Sequence, residues 1–297
     1  MNHLKHLFLN DYSEAAHEAC LNALAQSPLQ QEAGYGLDSI SAHARELIQQ
    51  HIQSPEAAIH FASGGTQTNL TAIASMLRPH EAVIATEAGH ISTHETGAIE
   101  ATGHKVIHTP HTNGKLRPSE IETVMRCHPD EHSVKPRMVF VSQSTEFGTV
   151  YSKAELLALR ECCDRHGLYL YVDGARLGMA LAAEKADVTL KDLAQIADAF
   201  YIGGSKNGAL MGEAVVLVNP SLQNDFRYFL KQRGALLAKG RVIASQFVAL
   251  FEQNLYFELA HHANTCAQRL RAGLAELGFT FLTDSPTNQI FPILPEA

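Results

Sequence analysis

The chain has 297 residues, 45% of them hydrophobic, and a formal net charge of −8. That length and apolar content can bury a sizeable core, enough for one large domain with a smaller appendage. No block of basic residues and no bilayer-length apolar run occurs, which argues against nucleic acid or membrane as a partner.

The opening Met1-Asn-His-Leu-Lys-His-Leu-Phe-Leu-Asn is too short and too quickly acidic for a secretion signal, so a cytoplasmic location is expected. Short apolar strands then alternate with helices, at about 59–61, 83–85, 105–108, 138–142, 168–173, 199–202 and 214–218. This alternation predicts an α/β fold with a mainly parallel sheet, the last strand running antiparallel after the tight turn from Gly208 to Gly212. Ser119-Glu-Ile-Glu122 and Ser152-Lys-Ala-Glu155 read as capping boxes, and Gly167 as a left-handed helix stop. Past Pro220 one long helix is expected over 241–277, with Val242, Phe247, Leu250, Phe251, Leu255 and Leu259 on its apolar stripe and a stop at Gly278. The chain thus divides into an N-terminal segment and large domain at 1–240, and a bridging helix with an incomplete small domain at 241–297.

The first strand runs through Gly64 and Gly65 into a helix carrying Leu70, Ile73, Ala74 and Leu77 on one face. Read plainly this is a helix cap. Read chemically, the free N–H groups, the positive dipole end and the Thr66 hydroxyl suit a phosphate monoester. The spaced glycines of a dinucleotide fingerprint and a Gly-Lys-Ser/Thr loop are both missing here. Further on, the strand at 83–85 leads to His90, which either packs at the strand end or lies flat on a planar cofactor.

Leu168-Tyr-Leu-Tyr-Val-Asp173-Gly-Ala-Arg176 is a buried parallel strand ending in an acid. Asp198-Ala-Phe-Tyr-Ile-Gly-Gly-Ser-Lys206-Asn-Gly delivers a lysine from the end of an apolar strand into an open, glycine-rich turn. In a parallel sheet both groups face the crevice beyond the carboxyl ends of the strands. A pyridine cofactor needs this pair: a carboxylate to keep the ring nitrogen protonated, and a partly desolvated lysine to carry the aldehyde as an imine.

The remaining groups read more blandly. The five cysteines lack a Cys-x-x-Cys pattern and are expected as reduced thiols, with Cys162 and Cys163 pointing apart, one into the core and one partly exposed. His108-Thr-Pro-His111 and His261-His262 have no carboxylate or cysteine at ligand spacing, so no metal is expected. The basic segment from Lys231 through Arg233 to Arg241 is either a solvated helix end or a contact to a cofactor phosphate from the same or a neighbouring subunit.

The succession Gly65-Thr66, Gly-His90-Ile, Asp173-Gly-Ala-Arg176-Leu and Tyr-Ile-Gly-Gly-Ser-Lys206-Asn-Gly resembles the low-specificity threonine aldolases of the β-eliminating lyase group. Phe8-Leu-Asn-Asp11-Tyr12-Ser and Gly34-Tyr35-Gly36-Leu-Asp38 fit as well, so the resemblance spans about residues 8–295. It implies the pyridoxal-phosphate-dependent transferase fold of aspartate aminotransferase (fold type I), with a small α+β domain truncated at its C-terminus. It also implies pyridoxal phosphate bound through Lys206, with Asp173 at the ring nitrogen, His90 stacked on the ring, and Gly65, Thr66 and Gln67 around the phosphate. Arg176 matches the family arginine near the cofactor oxygen and the substrate carboxylate. A homodimer or homotetramer with shared active sites follows from the same likeness.

Two departures stand out. Glu146 occupies the place, just after the strand ending near Ser142, where many threonine aldolases carry a histidine, which makes Glu146 the candidate for handling the substrate hydroxyl. The chain also stops at Ala297, where relatives continue for several tens of residues and supply a substrate-binding arginine. The expected activity is aldol cleavage of β-hydroxy-α-amino acids, threonine or allo-threonine giving glycine and acetaldehyde. The alternatives are β-elimination from another amino acid with the same residues, or a shortened cofactor-binding remnant without turnover.

Overall fold

The computed structural model describes residues 7–26 and 29–295. The stretch 1–6, which carries much of the segment read as unlike a secretion signal, lies outside them. The strands are β1 Ala58–Ala62, β2 Glu81–Thr86, β3 Val106–Thr109, β4 Lys135–Ser142, β5 Tyr169–Asp173, β6 Ala199–Gly203 and β7 Glu213–Leu217. Each falls where an apolar run predicts it. They form one sheet in the order β1-β7-β6-β5-β4-β2-β3. Neighbours from β3 to β6 are parallel, while β7 runs antiparallel to both β6 and β1.

The helices are α1 Glu18–Ala25, α2 Ser39–Ile52, α3 Gly65–Met76, α4 His90–Thr93, α5 Pro118–Cys127, α6 Lys153–His166, α7 Leu177–Leu181 and α8 Leu190–Ile196. They continue with α9 Phe226–Gln232, α10 Arg241–Phe251 and α11 Leu255–Glu276. They cover both faces of the sheet, and the central strands divide their side chains between two cores accordingly. Ile84, Val139, Leu170, Val172, Phe200, Ile202 and Val216 enter one core. Val83, Met138, Phe140, Tyr171, Ala199, Tyr201 and Val215 enter the other. Successive strand residues point to opposite faces, so a continuous apolar run is what a strand buried on both faces requires.

The helix ends mix confirmation with correction. Ser152 and Glu155 cap α6 reciprocally, and Gly167 ends it at φ 63°. The box expected at Ser119 does not form: α5 starts a residue earlier, at Pro118, with Arg117 as N-cap and the Glu120 carboxylate accepting from the Arg117 N–H at 2.9 Å. Proline, lacking an N–H, is preorganised for the first helical position and sets that start. Glu122 is thereby freed to bind Arg165 and His166 on α6.

Cys162 and Cys163 are both buried. α6 is enclosed on two sides, with Cys162 turned to α5, where its thiol meets the Pro118 carbonyl and Glu122, while Cys163 lies in the core. Burial pushes the two thiols up to about 11 and about 12.

The helix expected over 241–277 is two helices. Asn254 turns left-handed at φ 59°, a conformation asparagine tolerates, and separates α10 from α11. The break lets α10 pack against α1 and α2 while α11 turns to α7. Beyond α11, Phe281 and Pro292 form an isolated antiparallel bridge.

Gly174 follows β5 in close contact with β6, and a Cβ there would lie 1.8 Å from the Tyr201 carbonyl oxygen. Ser152→Ala is expected to cost about 1 kcal/mol in urea unfolding through its lost cap. Gly174→Ala is expected to cost clearly more, because backbone must move. The reverse order would contradict the packing described.

Candidate active site

The groups proposed for cofactor and substrate sit on the side of the sheet where the parallel strands end. β1 leads into Gly64 and Gly65; β2 is followed by His90, β4 by Glu146 and β6 by Lys206; and Asp173 is the last residue of β5. Parallel strands present their carboxyl ends to one common crevice, so residues far apart in sequence converge there. A cavity of about 690 Å³ opens at this edge, lined among others by Asp11, His90, Glu146, Arg176, Lys206 and Asn288.

Asp173 lies beneath that cavity, 3% exposed. Its Oδ1 accepts from the Tyr201 hydroxyl at 2.6 Å and the Ala175 N–H at 3.0 Å, and its Oδ2 accepts from Asn69 Nδ2 at 2.9 Å. A buried carboxylate is tolerable only with such donors. Asn69 Nδ2 also donates to Glu95 Oε1 at 2.7 Å, the same oxygen that meets His90 Nδ1 at 2.7 Å. The Tyr171 hydroxyl donates to Asn69 Oδ1. One hydrogen-bonded chain therefore ties Asp173 to the His90 ring. The Glu95 hydrogen bond raises the His90 pKa, against burial and with help from the Asp173 charge.

Lys206 has its pKa lowered, first by burial and then by the Arg176 charge, while Asp11, Asp173 and Glu213 pull the other way. A larger neutral fraction of the amine is what nucleophilic use requires. Glu146 is fixed through Oε1, which accepts from the Ser142 hydroxyl at 2.6 Å and the His90 N–H at 2.9 Å. Burial raises its pKa despite these bonds.

Arg176 is already engaged. Its Nε and Nη2 donate to the two Asp11 oxygens at 2.5 and 2.9 Å, and Asn288 donates to the same carboxylate at 3.0 Å. Burial would raise the Asp11 pKa, but Arg176 outweighs it and holds the carboxyl below its ordinary value.

The glycine turn adjoins this network. A Cβ on Gly65 would lie 3.2 Å from the Tyr201 hydroxyl, whereas one on Gly64 would meet nothing within 4 Å. Gly64 caps α3 without any side-chain hydrogen bond. Gln67 is turned inward: its Oε1 accepts from Ser63 and its Nε2 donates to the Arg233 carbonyl. Among the described residues, Arg233 Nε is buried without a hydrogen-bond partner. Open backbone at a helix N-terminus suits a phosphate. With Lys206 and Asp173 this donor set fits pyridoxal phosphate.

Asn69, Glu95, Tyr201, Asp11 and Ser142 have no role assigned from the sequence, although Asp11 lies in a stretch that carries the resemblance. Asn69 lies one helical turn beyond Gly65, a spacing that could have revealed it. Elsewhere, Glu122, Cys162 and His166 lie close enough to share a metal ion, but both Glu122 oxygens are taken by Arg165 and His166.

If Glu95 sets the protonation of His90, Glu95→Gln lowers the pH at which the His90 imidazole titrates, as followed by nitrogen-15 NMR. A titration unchanged from the parent protein would contradict the coupling.

The family model for beta-eliminating lyases matches residues 8–297. The low specificity L-threonine aldolase of Pseudomonas aeruginosa is 33% identical, covering 99% of this chain and 86% of that one. The low specificity L-threonine aldolase of a Pseudomonas species is 36% identical, over 88% and 76%. The solved threonine aldolase of Leishmania major superposes with a TM-score of 0.95 at 50% identity, covering 96% of this chain and 83% of that one. Aspartate aminotransferase from Thermus thermophilus shares the fold, with a TM-score of 0.72 at 16% identity over 93% and 73%. With its site assembled at the carboxyl ends of the sheet of an aspartate aminotransferase-like fold, the chain belongs to the beta-eliminating lyase family and is a lyase.

Proposed function

We propose that this lyase cleaves the Cα–Cβ bond of β-hydroxy-α-amino acids, threonine and allo-threonine first among them, to give glycine and an aldehyde. Pyridoxal phosphate is its cofactor. The observation that carries the reading is the hydrogen-bonded line from Asp173 through Asn69 and Glu95 to His90, lying beside a desolvated Lys206. Relatives named low specificity L-threonine aldolase support the choice of substrate.

When bound, pyridoxal phosphate supplies an aldehyde carbon and a pyridinium ring that withdraws electrons from the substrate's Cα. The protein does the rest. Lys206 provides the amine that anchors the aldehyde. Asp173, whose oxygens accept from three donors, would face the ring nitrogen and keep a proton on it. His90, oriented by Glu95, would pack against the ring face. Gly65, Thr66 and Gln67 would offer backbone N–H groups to the phosphate.

Arg176, with Nε and Nη2 on Asp11, turns its Nη1 edge to the substrate carboxylate and so aligns the scissile bond. Such orientation contributes on the order of 7 kcal/mol or more. Glu146 takes the proton of the substrate hydroxyl, and a raised pKa brings it nearer the working pH of a general base. The assembly we propose is a homodimer or homotetramer with shared active sites, which would cover Leu210 and Met211, 41% and 38% exposed on the turn after Lys206. A cytoplasmic setting accords with five free thiols.

Product analysis tests the reading. Glycine and acetaldehyde from threonine should far exceed ammonia released from serine or cysteine. Asp173→Asn should lower turnover on the order of a hundredfold or more. Dominant ammonia release would make the protein a β-eliminating enzyme, and unchanged turnover in Asp173→Asn would remove the electron-sink role.

A further inference from the structure

We propose that Glu213 is a positioning residue for Lys206: its carboxylate ties down the two residues before the lysine and places a third carboxylate, with those of Asp11 and Asp173, in the lysine's surroundings. The inference rests on the reading of Lys206 as the cofactor-anchoring lysine.

Glu213 opens β7, is 3% exposed, and pairs in register with Gly203 at the end of β6. The lysine turn lies between these two positions. Glu213 Oε2 accepts from the Gly204 N–H at 3.0 Å, and Oε1 accepts from the Ser205 hydroxyl at 2.8 Å. The Ser205 oxygen in turn accepts from the Gly212 N–H at 3.0 Å. The Gly204 N–H is shared with the Gly212 carbonyl at 3.0 Å, so the Glu213 side chain reinforces a turn its backbone also closes, and Lys206 follows directly on the bonded pair.

The polarity of this wiring is informative. Both groups facing the Glu213 oxygens are donors, so the site asks for an acceptor at each oxygen, which an ionised carboxylate provides and an amide does not. Burying that charge is costly without a reason for it. Burial pushes the Glu213 pKa up to about 7, and the Ser205 and Gly204 hydrogen bonds and the Lys206 charge restrain it from rising further. Asp173 on β5 opposes them. Tyr171, Tyr201 and Tyr256 also feel the charge, but all three have their pKa raised by burial and stay neutral. Lys206 and Asp173 are therefore the charged groups coupled to Glu213. For Lys206 the negative charge opposes the lowering caused by burial and Arg176.

The experiment uses two readouts. Acetylation of Lys206 by limiting acetic anhydride across pH, followed by peptide mass spectrometry of cofactor-free protein, gives the amine's midpoint. Growth of visible absorbance on adding pyridoxal phosphate gives the attachment rate. Glu213→Gln should lower the midpoint by about half a unit or more and slow attachment on the order of tenfold. Glu213→Asp keeps the charge but shortens the reach, so its midpoint should stay nearer the parent value while attachment is slowed. A folded Glu213→Gln protein with parental midpoint and rate overturns the proposal.

Should Glu213→Gln not fold, Ser205→Ala decides instead, since it removes one donor and leaves the carboxylate. Slower attachment at parental thermal stability supports the positioning role, and a parental rate overturns it. If the parent protein attaches no pyridoxal phosphate, the functional reading fails, while the acetylation midpoint still judges the role of Glu213.

Discussion

A carboxylate buried at the end of a central strand is the constraint around which the site is organised. Asp173 is 3% exposed, and a charge so placed persists only where fixed donors replace water. Tyr201 from β6, Asn69 from α3 and the Ala175 N–H supply them. Each donor brings its own element into register with the acid. Tyr201 carries the contact on to Gly65, and Asn69 carries it to Glu95 and His90. The acid and the His90 imidazole thus belong to one hydrogen-bonded network, and the glycine turn packs against it.

Around the lysine the balance of charge is finer. Arg176 and burial favour the neutral amine, while Asp11, Asp173 and Glu213 favour the ammonium. Asp11 reaches the site from the N-terminal segment and holds Arg176 by a two-point ion pair. A planar guanidinium bound at two points is oriented as well as charged. Asp11 also acts on the lysine directly, against the lowering caused by burial and Arg176.

Much of this was legible in the sequence, because strands buried on both faces are apolar throughout and parallel strands must be joined by helices. The β-strand positions and the antiparallel final strand followed from those rules, and the motifs around Asp173 and Lys206 pointed to the crevice. What escaped depends on competing local choices and on side-chain contacts that neither propensity nor periodicity reports. Ser119 looked like a cap until Pro118 took the first helical position. Cys162 and Cys163 are both buried because neighbours enclose α6 on two sides, which helical spacing alone does not report. The break at Asn254 needed only one left-handed residue. Asn69, Glu95 and Glu213 are polar residues of ordinary appearance, and their importance lies in partners 104, 5 and 9 residues away.

The central claim is that the lysine beside this buried acid is where the cofactor is held. Borohydride reduction of the pyridoxal-phosphate-loaded protein, followed by peptide mapping, tests it most directly. The account predicts a single stable adduct on the peptide containing Lys206. An adduct on another lysine, or none at all, would contradict it.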